Sequence, residues 1–171
     1  LSLQIRSSFM QTFSLTLHGG AGAIRTEDMP DELQAAYTQA LQQALDAGYT
    51  ILANGGTAMA AVKATILYLE DNILFNAGRG AVFTKKGLHE LDAAIMNGKT
   101  LEAGAVAGVR NVRNPIELAE RVMLHSGHVL LSGNGAIYFA IQQGIPLESD
   151  HYFFSQFRYD HWVTIWDREF Y

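Results

Sequence analysis

Hydrophobic and polar positions predict two consecutive helices in the first half of the chain. Over residues 30–54, apolar side chains recur every three or four positions, which is the spacing of one helix face. Pro30 suits the first turn of this helix, and Gly55-Gly56 ends it. Thr57 is then the predicted N-cap of a second helix, whose apolar face runs to Leu69.

Strands are predicted mainly after these helices. Alternating or short apolar runs predict them at residues 12–17, 81–84, 88–96, 100–110 and 128–132. Lys85-Lys86-Gly87 and Asn97-Gly98 are turn sequences, so we expect hairpins there. The strand at residues 100–110 is rich in alanine and glycine, which is typical of a strand against which another layer packs closely.

Two more helices are predicted in the second half, at residues 114–125 after Asn114-Pro115 and at residues 133–144. Residues 149–171 form an aromatic, loosely amphipathic tail that we expect to be helical. Two long helices beside antiparallel hairpins predict a layered α/β fold rather than parallel βαβ units. We expect one domain over residues 1–171, with residues 1–11 as an N-terminal extension.

Composition narrows the possible functions. Hydrophobic residues make up 49% and charged residues 17%, which is typical of a globular protein. The net charge is −5 and no basic cluster occurs, which disfavours nucleic acid as a partner. The absence of cysteine excludes disulfides and thiol catalysis. Apolar runs are too short for a membrane span, and the first residues do not resemble a secretory signal, so we expect a soluble, cytoplasmic protein.

Four short motifs have both a catalytic or binding interpretation and a plain structural one. His18-Gly19-Gly20-Ala21-Gly22 resembles a phosphate loop, but it lacks the dinucleotide spacing, so a tight turn with a partly buried His18 is favoured. Thr57 is better explained as an N-cap than as a nucleophile, and Ser132-Gly133-Asn134-Gly135 as a turn than as a nucleophile elbow. His89-Glu90-Leu91-Asp92 is a weak metal motif, because His89 points away from both carboxylates.

Residues 69–80 are the most informative segment. Two glycines and two asparagines interrupt any helix or strand there, between a helical and a strand-like pattern. Its backbone carbonyls could surround a hard cation, it could hold a neighbouring chain, or its Asn76 could face a site. The plain alternative is a structured connection.

Several motifs occur together in a fixed order. They are His18-Gly19-Gly20-Ala21-Gly22, Leu69-Glu70, Phe75-Asn76-Ala77-Gly78, Glu90-Leu91-Asp92-Ala93, Ala103-Gly104-Ala105-Val106-Ala107-Gly108-Val109 and Asn114-Pro115-Ile116. Their order and spacing resemble the plant-type L-asparaginase and isoaspartyl aminopeptidase family, which are threonine-dependent N-terminal nucleophile hydrolases. The resemblance covers residues 15–145, nearly the whole chain.

This resemblance implies an αββα sandwich and a precursor that cuts itself into an α and a β subunit. The new N-terminal Thr of the β subunit attacks the amide carbonyl, and its free α-amine acts as the general base. The implied substrates are L-asparagine and β-aspartyl (isoaspartyl) dipeptides.

The chain resembles the α-subunit half of that sandwich. A run similar to the family's GTVGAVALD strand is absent, and Thr164 lacks the preceding glycine of a cleavage site, so we reject Thr164 as the nucleophile. Residues 149–171 then correspond to the late helical tail before the autocleavage linker. The implied partner is a β subunit in an (αβ)2 heterotetramer. A non-catalytic binding module on the same scaffold is the alternative.

The resemblance also assigns site residues. Asn76 is implied to lie nearest the nucleophile, with the Gly19-Gly20 turn packed close to the site. No organic cofactor is implied. A structural sodium ion is implied, bound by the backbone carbonyls of Leu69, Glu70, Asn72, Phe75, Ala77 and Arg79.

Overall fold

A computed structural model describes residues 12–20 and 29–166. The helices are α1 (Asp31–Ala53), α2 (Ala58–Glu70), α3 (Pro115–His125), α4 (Gly133–Gln142), α5 (Asp150–Phe153) and α6 (Gln156–Trp166). The strands are β1 (Leu91–Met96), β2 (Ala103–Val109) and β3 (Leu130–Ser132). The predicted N-terminal extension, the Ala21-Gly22 end of the glycine motif and the last residues of the tail lie outside the described residues. Within them, no helix has the length and hydropathy that a membrane span requires.

The two predicted N-terminal helices are confirmed as α1 and α2. The Thr57 hydroxyl accepts a hydrogen bond from the Ala60 N–H at 3.2 Å, so Thr57 is the N-cap of α2. The helices cross closely at Gly48, where a Cβ atom would lie 2.3 Å from Thr65 Oγ1 and 2.9 Å from the Ala61 carbonyl oxygen. Gly48 therefore lets α1 approach the backbone of α2.

The sheet has the strand order β1-β2-β3 and differs from the expected antiparallel arrangement. β1 and β2 form the predicted hairpin around Asn97-Gly98. β2 and β3, however, are parallel, because α3 carries the chain across between them. The exclusion of a parallel βαβ unit was therefore wrong for this half of the sheet.

Two predicted strands do not form. Residues 12–17 and 81–84 belong to no strand of the described sheet. The alternation in residues 12–17 has another cause, since half-buried Leu15 packs on Gly48 of α1 and Leu17 packs on the cluster that contains Leu69. Alternate burial against helices gives the same pattern as a half-buried strand.

The core lies between the sheet and α3. Val106, Val109 and Leu91 from the strands are buried together with Leu118 and Val122 of α3. A Cβ atom on Gly104 would lie only 2.1 Å from the Ala119 carbonyl oxygen. The predicted close approach to the glycine-rich strand is thus confirmed.

The opposite face of the sheet is open. Asp92, Ala94 and Met96 of β1 alternate with the buried positions and are exposed, Met96 at 56%. Leu130 of β3, on the same face, is 54% exposed. Among the described residues, helices therefore cover one side of this sheet.

Candidate functional site

Residues 71–80, here called the Asn76 loop, connect α2 to the segment that precedes β1. The loop is folded by its own backbone. The Asn72 N–H donates to the Leu69 carbonyl at 3.3 Å, and the Asn72 side chain accepts from the Leu74 N–H at 3.0 Å. At the far end, a 3-10 turn at Gly78–Gly80 is closed by the Gly80 N–H and the Ala77 carbonyl at 3.0 Å.

Two glycines allow this compact path. Gly78 has φ +48°, and a Cβ atom there would lie 2.4 Å from the Glu70 carbonyl oxygen. A Cβ atom on Gly80 would lie 2.1 Å from the Phe75 carbonyl oxygen and 2.7 Å from that of Ile73. The backbone of the loop therefore passes over itself at a distance that only glycine permits.

Asn76 lies at the exposed crest of this loop. Its Oδ1 atom accepts a hydrogen bond from the Val82 N–H at 2.9 Å. Because the N–H requires an acceptor, this bond fixes which end of the amide is oxygen. The Nδ2 group of the exposed Asn76 is left as a donor that is bound by no other described residue.

The predicted sodium ligands occupy the same loop. The carbonyls of Leu69, Asn72 and Ala77 each accept an N–H within it, and a carbonyl oxygen has a second lone pair for a cation. The carbonyl oxygens of Glu70 and Phe75 lie against the 3-10 turn, 2.4 and 2.1 Å from where Cβ atoms on Gly78 and Gly80 would be. The set, which also includes Arg79, offers the hard oxygen donors that such a cation prefers, and sodium binding stays a prediction.

Glu70 joins the start of the loop to α3. Its side chain is only 2% exposed, and Oε1 accepts the N–H of Ile116 in the first turn of α3 at 2.9 Å. Burial raises the pKa of Glu70 to about 8, and Asp71 and Glu117 act in the same direction, while the Ile116 N–H and Asn114 oppose the shift.

Asp71, the next residue, ties the loop to α5 and to the start of α3. Its Oδ1 atom accepts from the Tyr152 hydroxyl at 3.0 Å and from the Asn114 amide at 3.3 Å. The Arg113 guanidinium lies 3.7 Å from the same oxygen. Three side chains distant in sequence thus hold the residue that directly follows α2.

Arg158 of α6 contacts the loop at two points that the sequence did not indicate. Its Nε atom donates to the Gly80 carbonyl at 2.9 Å, and its Nη2 atom donates to the Leu74 carbonyl at 3.2 Å. The Tyr37 hydroxyl of α1 also donates to the Leu74 carbonyl, at 3.0 Å. Helices from both ends of the chain therefore hold the Asn76 loop.

The glycine motif near residue 18 also reaches this site. A Cβ atom on Gly19 would lie 2.8 Å from Leu41 Cδ2 and 3.4 Å from Phe75 Cε1. Gly19 is therefore next to the Asn76 loop. His18 is exposed and its Nδ1 atom accepts the Gly20 N–H at 3.1 Å, so the prediction that it is partly buried was wrong. His18 is thus bonded to its own turn and is not packed in the core.

The remaining candidates take structural positions. His89 is 6% exposed against Phe83, with ring centroids 4.2 Å apart, and burial lowers its pKa. Glu90 is exposed on the other side, as predicted. The Asp92 carboxylate accepts the Gly108 N–H at 2.7 Å where the β1–β2 register shifts. Over the described residues, no three His, Cys, Asp or Glu side chains are grouped to hold a metal.

Neither of the other hydroxyl candidates lies in a catalytic arrangement. Ser132 is the residue before α4, and its side chain makes no capping bond. The Thr164 hydroxyl donates to the Asp160 carbonyl at 2.8 Å inside α6. This is an ordinary helical bond of a threonine to the preceding turn.

Comparison with known proteins gives the family. A profile of the family described as Asparaginase matches residues 10–171. An isoaspartyl peptidase of Salmonella typhimurium is 46% identical over 146 residues, which is 85% of this chain and 47% of that protein. A plant-type L-asparaginase of Pyrococcus abyssi is 49% identical over 134 residues, 78% of this chain and 42% of that protein.

A relative from an animal extends the same comparison. The isoaspartyl peptidase/L-asparaginase of Xenopus laevis is 46% identical over 132 residues, or 77% of this chain and 41% of that protein. The chain thus spans a little under half the length of the curated relatives it matches. With nearly its whole length matched by the family profile, the chain belongs to the asparaginase family that contains isoaspartyl peptidases and plant-type L-asparaginases.

Proposed function

We propose that this chain is the α subunit of an amidohydrolase that cleaves L-asparagine and β-aspartyl (isoaspartyl) dipeptides. The observation that carries the proposal is the presentation of Asn76, with Oδ1 bound by Val82 and Nδ2 available, on a loop of a chain whose relatives are named for these activities. The nucleophile is the N-terminal Thr of a β subunit released by autoproteolysis. It belongs to the part of the family sequence that this chain does not match.

The chemistry proceeds in two steps. The Thr hydroxyl attacks the side-chain amide or isopeptide carbonyl, and the free α-amine of the same Thr takes the proton. Collapse of the tetrahedral intermediate leaves an aspartyl ester on the Thr and releases ammonia or an amino acid. Water then attacks the ester and releases aspartate.

Asn76 serves this reaction as a hydrogen-bond donor. Because Val82 already occupies Oδ1, the Nδ2 group is the end that can bind the Thr oxygen or the substrate. A donor fixed before the reaction stabilises developing negative charge without having to reorient.

The open face of the sheet is the proposed contact with the β subunit. Ala94, Met96 and Leu130 are apolar and exposed on that face. A second sheet packed there would remove this surface from water and complete an αββα sandwich. Two such αβ pairs form the proposed (αβ)2 heterotetramer.

A sodium ion in the carbonyl set would stiffen the Asn76 loop. The tight folding of the loop, which brings the Glu70 and Phe75 carbonyls against the 3-10 turn, supports this proposal. Sodium would be structural there, because it would link neutral carbonyl oxygens from both ends of the loop. Orientation of Asn76 remains the task of the Val82 N–H.

Co-expression with the second chain tests the proposal. Ammonia release from L-asparagine and aspartate release from a β-aspartyl dipeptide are measured on the purified assembly. Asn76→Ala is expected to lower kcat by about 100-fold, as loss of one such donor does, while the assembly stays intact. Asn54→Ala is the matched control, because Asn54 only closes the end of α1 through the Thr50 carbonyl.

Native mass spectrometry distinguishes the enzyme subunit from the alternative, a non-catalytic binding module. A lone species near 18.8 kDa that never binds a second chain would favour a non-catalytic module. Full activity of Asn76→Ala would remove Asn76 from the site while leaving the enzyme assignment in place.

A further inference from the structure

We propose that Arg158 is a positioning residue that closes the Asn76 loop and sets the orientation of the Asn76 amide. This role for α6 rests on the proposed function, since it assigns Arg158 to the same site. The observation behind it is that one guanidinium binds a carbonyl on each side of Asn76.

The Arg158 guanidinium bridges the two sides of the loop. Leu74 precedes Asn76 by two residues and Gly80 follows it by four, and their carbonyls accept from Nη2 and Nε of Arg158 at 3.2 and 2.9 Å. The guanidinium is planar and presents its donors at fixed angles, so it also fixes the separation of the two carbonyls. A lysine at this position can bind only one of them well.

The two ends of the loop depend on Arg158 unequally. The Leu74 carbonyl has a second donor, the Tyr37 hydroxyl at 3.0 Å. The Gly80 carbonyl has Arg158 as its sole donor among the residues that the structure describes. Loss of Arg158 therefore releases the Gly80 end first.

That end is the one that orients Asn76. Val82, whose N–H binds Asn76 Oδ1 at 2.9 Å, is only two residues beyond Gly80. A shift of the Gly80 peptide moves the Val82 N–H, and the Asn76 amide must follow it or lose its partner. Arg158 thus acts on Asn76 through the backbone of residues 80–82.

Helix α6, which carries Arg158, is itself fixed next to the loop by a second residue. One turn after Arg158, the Trp162 indole N–H donates to the Thr84 carbonyl at 2.9 Å, and the Trp162 ring lies 5.8 Å from that of Phe83. Arg158 and Trp162 therefore face the same stretch of chain, at residues 80–84. Arg158 is half-buried, and two of its guanidinium nitrogens are bound to carbonyls, which favours a positioning role over binding of a substrate carboxylate.

The test uses the assembled enzyme with Arg158→Ala, Arg158→Lys and the control Arg110→Ala. Arg110 is also an arginine on this half of the chain, but it pairs with Asp150 at 3.3 Å and does not touch the loop. Arg158→Ala is expected to lower kcat by about tenfold or more with KM within about twofold, since misplacement of a catalytic group lowers the rate steeply. Arg158→Lys recovers part of the loss, and Arg110→Ala leaves both parameters unchanged.

Two further measurements distinguish positioning from a general structural effect. The Val82 amide is expected to exchange its hydrogen faster in Arg158→Ala, because the loop opens there. In the double variant with Asn76→Ala, removal of Arg158 adds no further loss, since Arg158 acts only through Asn76.

A raised KM with unchanged kcat would overturn the proposal in favour of substrate binding by Arg158. Multiplicative losses in the double variant, or unchanged exchange at Val82, would overturn it as well. If Arg158→Ala does not assemble, Arg158→Lys supplies the same comparisons. If the wild-type assembly hydrolyses neither substrate, the proposed function fails, and the exchange measurement still decides whether Arg158 closes the loop.

Discussion

Replacement of Gly80 by alanine tests how much the self-contact of the Asn76 loop contributes to stability. Gly80 does not have a positive φ, so alanine introduces no left-handed strain there. The new methyl group, however, would lie 2.1 Å from the Phe75 carbonyl oxygen and 2.7 Å from that of Ile73. Ordinary contact begins at 3.4 Å, so the neighbouring backbone must retreat by more than 1 Å.

The expected destabilisation follows from two contributions. Inserting a methyl group into a tightly packed site costs about 1–3 kcal/mol. The displaced Gly80 carbonyl also weakens its bond to Arg158, and a hydrogen bond to a charged group is worth about 1.5–3 kcal/mol. The lower entropy of the unfolded alanine variant offsets about 0.4–1 kcal/mol of this cost. We expect a net loss of about 2–4 kcal/mol in the free energy of unfolding.

Gly98→Ala is the matched control. Gly98 also lacks a positive φ, and nothing lies within 4 Å of the position of its Cβ atom. Its replacement should change stability by no more than about 0.5 kcal/mol. Urea unfolding of the assembled protein, followed by circular dichroism at one fixed protein concentration, compares the two variants. If Gly80→Ala and Gly98→Ala agree within about 0.5 kcal/mol, the close approach of the backbone is refuted.

Three other changes give expected results in the same unfolding assay. Thr57→Ala removes the N-cap of α2 and should cost about 1 kcal/mol, whereas Thr57→Ser should keep most of it. Glu70→Ala leaves the Ile116 N–H buried without its acceptor and should cost about 1–3 kcal/mol, and a Glu70→Gln variant as unstable as Glu70→Ala would contradict this explanation. Burial lowers the pKa of His89 in the folded protein, so the unfolded chain takes up a proton at this residue first as the pH falls below 6.5. The free energy of unfolding should therefore decrease on acidification. The decrease should be smaller in His89→Gln.

Local patterns predicted the helices because their periodicity and end signals are contained within each segment. The bounds of α1 follow from apolar spacing between Pro30 and Gly55, and the start of α2 from Thr57. The strand at residues 12–17 was predicted from the same kind of pattern and was wrong, since Leu15 and Leu17 pack on helices instead of forming a ladder. Periodicity reports which side is buried, and not what buries it.

The Asn76 loop shows what the sequence could and could not give. The glycines and asparagines predicted an irregular, shaped segment, and its internal turn bonds agree. The contacts that hold the loop against the rest of the molecule come from far along the chain: Ile116 is 46 residues from Glu70, and Arg158 is 78 residues from Gly80. No spacing rule joins such residues, because their separation is set by how α3 and α6 pack and not by any local repeat.

These remote contacts have a common physical reason. An irregular loop leaves carbonyls without the partners that a helix or strand would provide, and buried or half-buried carbonyls need donors. Arg158 and Tyr37 supply them at Leu74, and Arg158 alone supplies one at Gly80 among the described residues. The irregular backbone that exposes Asn76 therefore also leaves carbonyls without partners inside the loop. Arg158 of α6 binds these carbonyls and so acts on the loop. A loop whose backbone groups were all paired within the loop would need no such donors from α1 and α6.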